Sequence, residues 1–510
     1  MKNLKINNSA EKLFNKKTAI LFCSFAVFFK SFLSAALELH PDEAYYWLWS
    51  KNLALGYYDH SPMVAYFIKL TTLFSDAELF VRFSSLIVTV ILSVLIWKFA
   101  KELFNETVAA ASVVIINSLP LMLIGSLIIT PDTPVFLFWS FAVYFLWKAS
   151  VFPSKETKYF YLTGLFFGLA LLSKYTAVLF APCVLCYMIF DKKLFWFKSK
   201  HFYLMFALSF IIFLPVIIWN AQNGWISFSY QLGHGLSSAK LHFNYVLEYL
   251  GAQCLVAGPF VFFAGFAAVF YIIFRRRDNE NSFEAVQSVY SKKIFLASFS
   301  IPVILFFAVT ALKRYPGANW PSFAYFTFSV LTAAYLILNI TPAKKKILIS
   351  AVVFNAVLSS AVGFHAKFGF VPIQKFSKNA AIADATNWFS GWNYLGQEIL
   401  NSGVKYAVTD KHQWSAVLEY YTRGKVKAFI DTPKRSQYYY WEIPDDLNKS
   451  KTAFVHIDNE MRDDFAKITG ARVFYVQRYG IPVRQYAVVE SLGRGFKNPS
   501  YKNKNQGRQN

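Results

Sequence analysis

Long uninterrupted apolar stretches constrain this chain more than any other feature. Residues 18–37, 108–129, 202–219, 252–274 and 347–365 could each cross a hydrocarbon core of about 30 Å as a helix. The 510 residues are 55% hydrophobic and 19% aromatic, which is more apolar surface than a soluble domain of this length needs. The sequence therefore predicts a polytopic α-helical membrane protein.

The apolar runs predict about eleven transmembrane helices. Their approximate bounds are 18–37, 82–97, 107–129, 133–147, 159–173, 176–190, 202–219, 252–274, 294–312, 318–339 and 347–365. Two short neighbouring runs in this series, 159–173 and 176–190, are separated only by Lys174 and Tyr175.

The connections between these runs alternate in charge. Lys and Arg are concentrated in the N-terminal tail and in every second connection, up to Lys344–Lys346. Because cytoplasmic loops are enriched in Lys and Arg, the N-terminus is predicted to be cytoplasmic and the C-terminal region extracytoplasmic. These loops and the anionic headgroups beside them explain the net charge of +23, and no motif indicates nucleic-acid binding.

The composition changes after His365. Residues 1–366 form the predicted transmembrane domain, and residues 367–493 form a predicted extracytoplasmic α/β domain. Strands are predicted at 405–409, 426–430, 453–457 and 485–490, with helices at 380–389 and 414–421. Residues 494–510 are basic and are predicted to be a disordered tail.

The same topology gathers ionisable residues at the outer ends of the predicted spans. Such groups cost roughly 2.5–3.5 kcal/mol each at membrane depth, so they persist mainly where they face one another or a cavity. This one-sided cluster predicts an active cavity at the outer leaflet. Its members are Asp42, Glu43, Asp59, His60, Asp132, Lys174, His234, His242, Lys313 and Arg314.

The first outer loop carries two adjacent carboxylates, Asp42 and Glu43, followed by a dense aromatic stretch. A carboxylate at headgroup level can act as a general base or as a metal ligand. The aromatic residues suit either an interfacial belt or a wall on which a sugar stacks. The alternative for the whole segment is an interfacial helix with a capping acid.

An acid and three cations stand at other outer span ends. Asp132 is either a helix N-terminal acid favoured by the dipole or part of a reaction centre. Lys174 interrupts apolar sequence, and Lys313 and Arg314 end a span. Such cations suit a lipid phosphate, and their alternative is snorkelling to ordinary headgroups.

Five motifs occur in order on the predicted outer face. They are HPDEAYYW (40–47), GYYDHSP (56–62), TPDTP (130–134), SKYT (173–176) and PGANWP (316–321). Together they resemble bacterial GT-C glycosyltransferases of family 39, the relatives of protein O-mannosyltransferases and of the lipid A aminoarabinose transferase. The resemblance covers roughly residues 30–325, and QYYYW (437–441) extends it more loosely.

The resemblance implies an inverting transferase that takes a sugar from a polyprenyl monophosphate at the extracytoplasmic face. The acceptor would be lipid A, another glycan or protein. The family pattern implies catalytic roles for Asp42 as general base, Glu43 as its partner and Asp132 as a second acid. It implies lipid-phosphate binding by Lys174 and Arg314, and the adjacent Lys313 is predicted to join them from its place at the span end. We further predict a substrate pocket lined by Tyr57, Tyr58, Asp59, His60 and His234.

The sequence departs from the family pattern in the first outer loop. Ser61 stands where the bacterial pattern usually has proline, and Ala-Tyr-Tyr follows Asp42-Glu43 in place of an Arg-Tyr arrangement. The second departure argues against the aminoarabinose branch. No cofactor is predicted to be required. A divalent cation is an open alternative, but the histidines lack metal-ligand spacing and no metal site is predicted.

Two other functions fit parts of the sequence. A transporter or flippase of lipid-linked sugars would also need charges in a helical bundle, and Lys30 inside the first span suits it. A non-catalytic scaffold would leave the outer acids and cations unexplained. The transferase interpretation predicts a multi-pass protein of the bacterial inner membrane. Its expected partners are a polyprenyl-phosphate-linked sugar, a lipid or glycan acceptor and membrane lipids.

Overall fold

A computed structural model describes residues 8–152, 156–236, 241–274, 283–338, 340–432, 434–458 and 470–492. These residues group into two compact units. The first comprises the chain up to Phe32, His60–Phe67 and Arg82–Ser360, and the second comprises Leu33–Asp59, Ile68–Val81 and the chain from Ala361 onward. The domain limits near residues 366 and 493 stay predictions, and the predicted tail lies outside the described residues.

Most of the described chain is helical, and its described residues before the C-terminal region form eighteen helices. They are α1 (Asn8–Leu13), α2 (Lys16–Ala36), α3 (Pro41–Lys51), α4 (Met63–Thr71), α5 (Glu78–Leu103), α6 (Glu106–Ser118), α7 (Pro120–Leu123), α8 (Asp132–Val151), α9 (Glu156–Leu171), α10 (Phe180–Phe190), α11 (Lys200–Gln222), α12 (Ile226–Leu236), α13 (Phe243–Ala257), α14 (Pro259–Phe274), α15 (Phe283–Ser298), α16 (Ile301–Ala311), α17 (Tyr325–Ile337) and α18 (Pro342–Phe368).

The chain is a multi-pass membrane protein. Within the described ranges, six helical segments are long and apolar enough to cross a membrane, and two bent helix pairs raise the number to as many as eight. The six are α2, α5, α8, α11, α18 and the segment Val289–Ala311. Two shorter apolar segments, Tyr175–Phe190 and Ser322–Ile337, add to the bundle. The predicted runs coincide with helices, but the count of eleven spans is not confirmed.

Two of the predicted spans bend sharply. The run at 107–129 bends by 66° between α6 and α7, and the run at 252–274 bends by 107° between α13 and α14. Pro120 lacks an N–H for the helical ladder at the first bend. Gly258 has φ +78° at the second, where a Cβ would lie 1.7 Å from the Asn355 Oδ1. Only glycine fits that close approach and that backbone conformation.

Small residues let α9 and α11 approach closely. Gly164 and Gly168 lie one turn apart on α9, and a Cβ on Gly164 would stand 2.4 Å from the carbonyl oxygen of Met205 on α11. At Gly168 a Cβ would stand 2.7 Å from the Cβ of Ile212. This spacing of two small residues is typical of close helix packing in membranes.

The first unit also holds a buried lysine. Lys30 on α2 is 1% exposed, and its ammonium donates at 2.6 Å to the hydroxyls of Thr89 and Ser126. Ser126 follows the bend after α6, so Lys30 links α2 to α5 and to the bent segment. The Lys30 ammonium therefore has hydrogen-bond partners inside the bundle. Its presence in the first span, which had favoured a transporter, has a structural explanation.

The second unit contains a five-stranded sheet with the order β2-β1-β3-β5-β4. Strand β1 runs parallel to β2 and β3, whereas β5 runs antiparallel to β3 and β4. The strands are β1 (Tyr406–Thr409), β2 (Lys427–Ile430), β3 (Lys451–Asp458), β4 (Arg472–Arg478) and β5 (Ile481–Leu492), and the helices are α19 (Lys378–Ile382), α20 (Trp392–Asn401) and α21 (His412–Tyr421).

The small α/β arrangement predicted for this region is confirmed, with two differences. The edge strand β4 was missed, although its sequence RVFYVQR is rich in strand-forming residues, and its described residues are mostly half-buried or exposed. The helix predicted at 380–389 is two pieces, α19 and a 3₁₀ turn at Ala385–Phe389, because the Asp384 side chain caps the second turn at Thr386.

The first outer loop belongs to the second unit. Helix α3 packs on α21, where the rings of Trp47 and Tyr420 meet edge to face at 5.0 Å. The backbone N–H of Leu39 donates to the Tyr421 hydroxyl at 2.7 Å. The segment carrying Asp42 is therefore held by side chains of the C-terminal region.

Candidate active site

Asp132 is the centre of a polar cluster in the first unit. Its Oδ1 accepts from the Lys174 ammonium at 2.8 Å and from the Ser322 hydroxyl at 3.2 Å. Its Oδ2 accepts from the Asn319 amide at 2.8 Å. We call Asp132, Lys174, Asn319 and Ser322 the Asp132 cluster. It joins three of the sequence motifs, which are far apart along the chain.

The local structure explains how these side chains meet. Asp132 begins α8, where a negative charge interacts favourably with the helix dipole. Lys174 has extended backbone between α9 and the 3₁₀ turn at Tyr175–Leu179, which ends the helix and directs the side chain to Asp132. The side chains of Lys174 and Asp132 are 8% and 14% exposed, so the ion pair is mostly shielded from water.

A buried glutamine holds the loop that carries Asn319. Gln253 on α13 is fully buried, and its amide donates to the Ala318 carbonyl at 3.0 Å. Its Oε1 accepts from the Tyr325 hydroxyl at 2.9 Å. Gln253 therefore fixes the residue next to Asn319, and the sequence motifs gave no indication of it.

The segment after Asp59 is fastened beside Lys174. The Ser61 hydroxyl donates to the Leu171 carbonyl at 2.9 Å, and the Met63 N–H donates to the Leu172 carbonyl at 3.1 Å. His60 lies in the same segment, with its Nδ1 3.5 Å from the Gln231 amide. Within the first unit, the end of the GYYDHSP motif is thus held against the residues that directly precede the SKYT motif.

The remaining cations and His234 are placed differently. The N–H groups of Lys313 and Arg314 both donate to the Thr310 carbonyl in the turn after α16, and the Lys313 side chain is exposed. Among the described contacts, Lys313 makes none with the Asp132 cluster. His234 lies on α12, and its side chain lies outside the described atoms.

Asp42 and Glu43 stand in the first turn of α3 in the second unit. His40 is the N-cap, and its Nδ1 accepts from the Asp42 N–H at 3.2 Å. The Glu43 carboxylate accepts from the His40 N–H at 2.9 Å, which completes a capping box. Glu43 is fully buried, whereas the Asp42 side chain is 44% exposed and its Oδ2 is 3.7 Å from the His40 Nδ1.

A second buried acid lies in the same unit. The Asp59 carboxylate accepts from the Tyr45 hydroxyl at 2.6 Å, and that hydroxyl accepts from the Gln437 N–H at 2.9 Å. Burial raises the pKa of Asp59 to about 7, against the lowering effect of the Tyr45 hydrogen bond and with a further rise from the charge of Asp42. Asp59 is therefore only partly ionised near neutral pH.

His412 packs against Tyr45 with ring centroids 4.4 Å apart. Burial, with the nearby charge of Lys434, lowers the pKa of His412 to about 3. His412 is therefore a neutral imidazole at physiological pH. Sequence reasoning missed Tyr45 as the partner of Asp59, and Gln437 and His412 as contacts of Tyr45, because nothing in their spacing links these residues.

The two predicted pocket tyrosines have structural partners. Tyr57 is fully buried, stacks on Trp49 at 4.1 Å and donates to the Asn52 carbonyl at 3.0 Å. The Tyr58 N–H donates to the Gln437 Oε1 at 2.8 Å. Their role in a substrate pocket stays a prediction.

The described residues include no group of three or more His, Cys, Asp or Glu side chains arranged to hold a metal ion. The Asp132 cluster pairs one carboxylate with one ammonium and two neutral donors. Hydrogen bonds from Asn319 and Ser322 fix the Asp132 carboxylate, and this carboxylate in turn holds the Lys174 ammonium in position. This arrangement leaves Lys174 available to face an anion.

Comparison with known proteins identifies the fold. Residues 59–219 match a family model described as Dolichyl-phosphate-mannose-protein mannosyltransferase. The crystal structure of ArnT from Cupriavidus metallidurans bound to undecaprenyl phosphate superposes with a TM-score of 0.65, at 12% identity, over 92% of this chain and 97% of that chain. The apo structure of ArnT gives a TM-score of 0.64 over the same shares. The chain has the fold of the GT-C glycosyltransferases.

A curated relative shares part of this sequence. The lipid A galacturonosyltransferase RgtD of Rhizobium johnstonii (strain DSM 114642 / LMG 32736 / 3841) is 26% identical over 310 residues. The alignment covers 60% of this chain and spans 62% of the length of that relative. The resemblance to GT-C glycosyltransferases inferred from the five motifs is confirmed by these matches.

Within the GT-C fold, the sequence motifs anticipated part of the cluster. Asp132 and Lys174 were predicted to be functional, and the structure pairs them. Asn319 stood in the PGANWP motif without a role, although a polar amide in a turn rich in Pro and Gly at a span end could have drawn attention to it. Ser322 lies just past that motif and carried no signal.

Proposed function

We propose that the chain is an inverting glycosyltransferase that moves a sugar from a polyprenyl monophosphate to a saccharide acceptor of the cell envelope. The observation that carries the proposal is the meeting of three motifs in the Asp132 cluster. The GT-C fold supports it, as does the undecaprenyl phosphate bound to ArnT. The name of the curated relative supports lipid A as the acceptor.

Lys174 is the proposed contact to the donor phosphate. Its ammonium uses one of three N–H donors on Asp132 in the described contacts. The other donors are available for phosphate oxygens, to which ammonium groups make strong charge-assisted hydrogen bonds. Negative charge grows on the lipid phosphate as the glycosidic bond breaks, and Lys174 would stabilise it. Asp132 would keep the ammonium in position.

Lys313 and Arg314 are proposed as a second source of positive charge for the lipid phosphate. Both follow α16 in the segment that leads to Asn319. The exposed Lys313 ammonium would act over a longer distance than Lys174. Its removal should therefore weaken donor binding less than removal of Lys174.

Asp42 is the proposed general base. Of the two adjacent carboxylates it is the accessible one, since Glu43 is buried and occupied with the N-cap of α3. Asp42 would take the proton of an acceptor hydroxyl while that oxygen forms a bond to the anomeric carbon. The bond to the phosphate oxygen breaks on the opposite face, and configuration inverts. Glu43 would orient the loop.

The proposal includes a topology. The N-terminus would be cytoplasmic and the second unit extracytoplasmic in a bacterial inner membrane, as the distribution of Lys and Arg predicts. The donor sugar would then be used on the face where cell-envelope glycans are completed.

Purified protein supplied with radiolabelled undecaprenyl-phosphate sugars and a membrane extract tests the proposal. Transfer of label from one donor to lipid A or another glycan is the expected result. Proteoliposomes made with the same donors test the transporter alternative. Movement of the intact donor across the bilayer without any transfer of label would replace the transferase by a flippase.

A further inference from the structure

A cavity of about 380 Å³ lies within the second unit. Its volume falls in the range of about 300–1,000 Å³ that is typical of small-molecule sites. The residues that line it come from the segment around α19 and the following 3₁₀ turn, and from the start of β5. Those used below are Asn379, Ala383, Asp384, Trp388 and Arg484.

The aromatic wall of this cavity is rigid. The Trp388 ring stacks on Trp414 at 5.3 Å with an angle of 16° between their planes. The Arg484 guanidinium lies 5.3 Å from the centre of the Trp388 ring and 3.9 Å from that of Trp392. Arg484 is buried and donates to the carbonyls of Ser390 and Asn387. An aromatic ring fixed in this way contacts a ligand at little cost in conformational entropy.

Polar groups flank the Trp388 ring in the cavity. Asp384 Oδ2 accepts from the Thr386 hydroxyl at 2.7 Å, from the Tyr479 hydroxyl and from the His365 Nε2 at 3.1 Å. Its Oδ1 accepts one described hydrogen bond, from the Thr386 N–H at 3.0 Å, and a carboxylate oxygen can accept two. Asn379 adds an exposed amide at the rim. An aromatic ring beside an amide and a carboxylate suits the apolar face and the hydroxyls of a sugar.

The His40 side chain connects Trp388, which lines the cavity, to Asp42, the candidate base. The Trp388 ring is 5.9 Å from the His40 ring. His40 in turn accepts from the Asp42 N–H and lies 3.7 Å from the Asp42 carboxylate. A sugar bound against Trp388 would therefore be close to the group proposed to deprotonate an acceptor hydroxyl.

We propose that this cavity is an acceptor subsite that holds one sugar ring of a saccharide acceptor against Trp388. The inference rests on the proposed function, in which Asp42 is the general base. It places the acceptor in the second unit, which contains Asp42. The ligand class is a neutral or amino sugar with free hydroxyl groups. The cavity would determine which acceptors are used without taking part in the chemical step.

Filling the cavity tests this assignment. Ala383→Trp adds a large side chain at an exposed lining position, and Ala380→Trp adds the same side chain at an exposed position of α19 that does not line the cavity. Ala383→Trp should raise the acceptor KM by about tenfold or more and leave the donor KM unchanged. Ala380→Trp should match the wild type. An acceptor KM for Ala383→Trp equal to that of the wild type would overturn the subsite while leaving the transferase intact.

A direct binding measurement distinguishes failure of the acceptor subsite from failure of the proposed transferase function. Calorimetric titration with the deacylated β1→6 glucosamine disaccharide requires no donor and no turnover. Binding to the wild type and to Ala380→Trp, with loss in Ala383→Trp, supports the subsite even if no transfer is detected. Absence of binding to the wild type overturns it. If Ala383→Trp fails to fold, as judged by gel filtration, Asn379→Trp at the rim replaces it with the same expected results.

Discussion

The Lys174 ammonium and the Asp132 carboxylate lie 2.8 Å apart, with only 8% and 14% of their side chains exposed. Each charge compensates the other in surroundings of low polarity, and Asn319 and Ser322 complete the hydrogen bonds of the acid. Removal of either partner leaves a shielded, uncompensated charge, which is costly. The pair is therefore both a structural element of the first unit and the centre of its proposed chemistry.

Single substitutions in this pair should destabilise the protein more than the double substitution. We expect Asp132→Asn or Lys174→Met alone to lower the free energy of unfolding by about 3–5 kcal/mol. The double variant should regain much of that stability and remain inactive, because the phosphate loses its proposed contact with Lys174. Thermal unfolding in detergent, alongside transfer activity, measures both effects. A double variant that is less stable than either single one would contradict the ion-pair account.

Gln253 should matter through the loop that carries Asn319. Gln253→Met keeps the side-chain size, but it leaves the Ala318 carbonyl and the Tyr325 hydroxyl without their buried partner. Unsatisfied buried groups cost about 1–3 kcal/mol each, and transfer activity should fall because Asn319 loses its fixed position. Tyr325→Phe is the matched control, since it preserves the bond to Ala318. Equal activity losses in the two variants would argue against a role for the Gln253–Ala318 contact.

Asp59 and His412 should give opposite pH dependences of stability. The folded-state pKa of Asp59 is raised from 3.8 to about 7, so its stabilising contribution is complete below pH 3.8 and is lost as the pH rises toward 7. The folded-state pKa of His412 is lowered from 6.5 to about 3, so its contribution is complete above pH 6.5 and is lost as the pH falls toward 3. Between about pH 4 and 6.5 the two effects oppose each other.

Single variants should expose each effect. Relative to the wild type, Asp59→Asn should lose stability on acidification from pH 6.5 to 4.5, and His412→Gln should gain it. Melting temperatures of the detergent-solubilised variants at three pH values across this window provide the measurement. If the melting temperatures of both variants and the wild type change equally with pH, neither Asp59 nor His412 titrates as described.

The close contact between α9 and α11 should be sensitive to a single methyl group. Gly164→Ala would place a Cβ 2.4 Å from the Met205 carbonyl oxygen, and overpacking of this kind typically costs about 1–3 kcal/mol. Gly251→Ala on α13 is the control, because no atom lies within 4 Å of its Cβ position. There alanine should be neutral or stabilising by up to about 1 kcal/mol. A lower melting temperature for Gly251→Ala than for Gly164→Ala would refute the packing argument.

The sequence predicted the helical runs well because membrane spans are encoded locally, by length and hydrophobicity. It failed at the bends in 107–129 and 252–274. The hydropathy of these runs is continuous, and the determinants are a single proline at 120 and the contact of Gly258 with a distant Asn355. Contacts between residues far apart in the chain carry no local signal, so the number and continuity of spans could not be read from hydropathy.

The candidate site was predicted as a set of residues rather than as an arrangement. Charge at the outer span ends identified Asp132 and Lys174, and the motifs contained Asn319. Their mutual contacts, and the support from Gln253, depend on tertiary packing. The family resemblance implied different roles for Asp42 and Glu43, but nothing in two adjacent carboxylates distinguishes them physically in sequence. The capping box distinguishes them, because it buries Glu43 and leaves Asp42 accessible.

Transfer of labelled sugar from undecaprenyl phosphate by Asp42→Asn, compared with the wild type, tests the central claim most directly. Asp445→Asn, at an exposed acid of the same unit, controls for the loss of one negative charge. The account predicts that the wild type and Asp445→Asn form product, and that Asp42→Asn binds donor normally but forms product at least about a hundredfold more slowly, as expected for loss of a general base. Product formation by Asp42→Asn at the wild-type rate would contradict it.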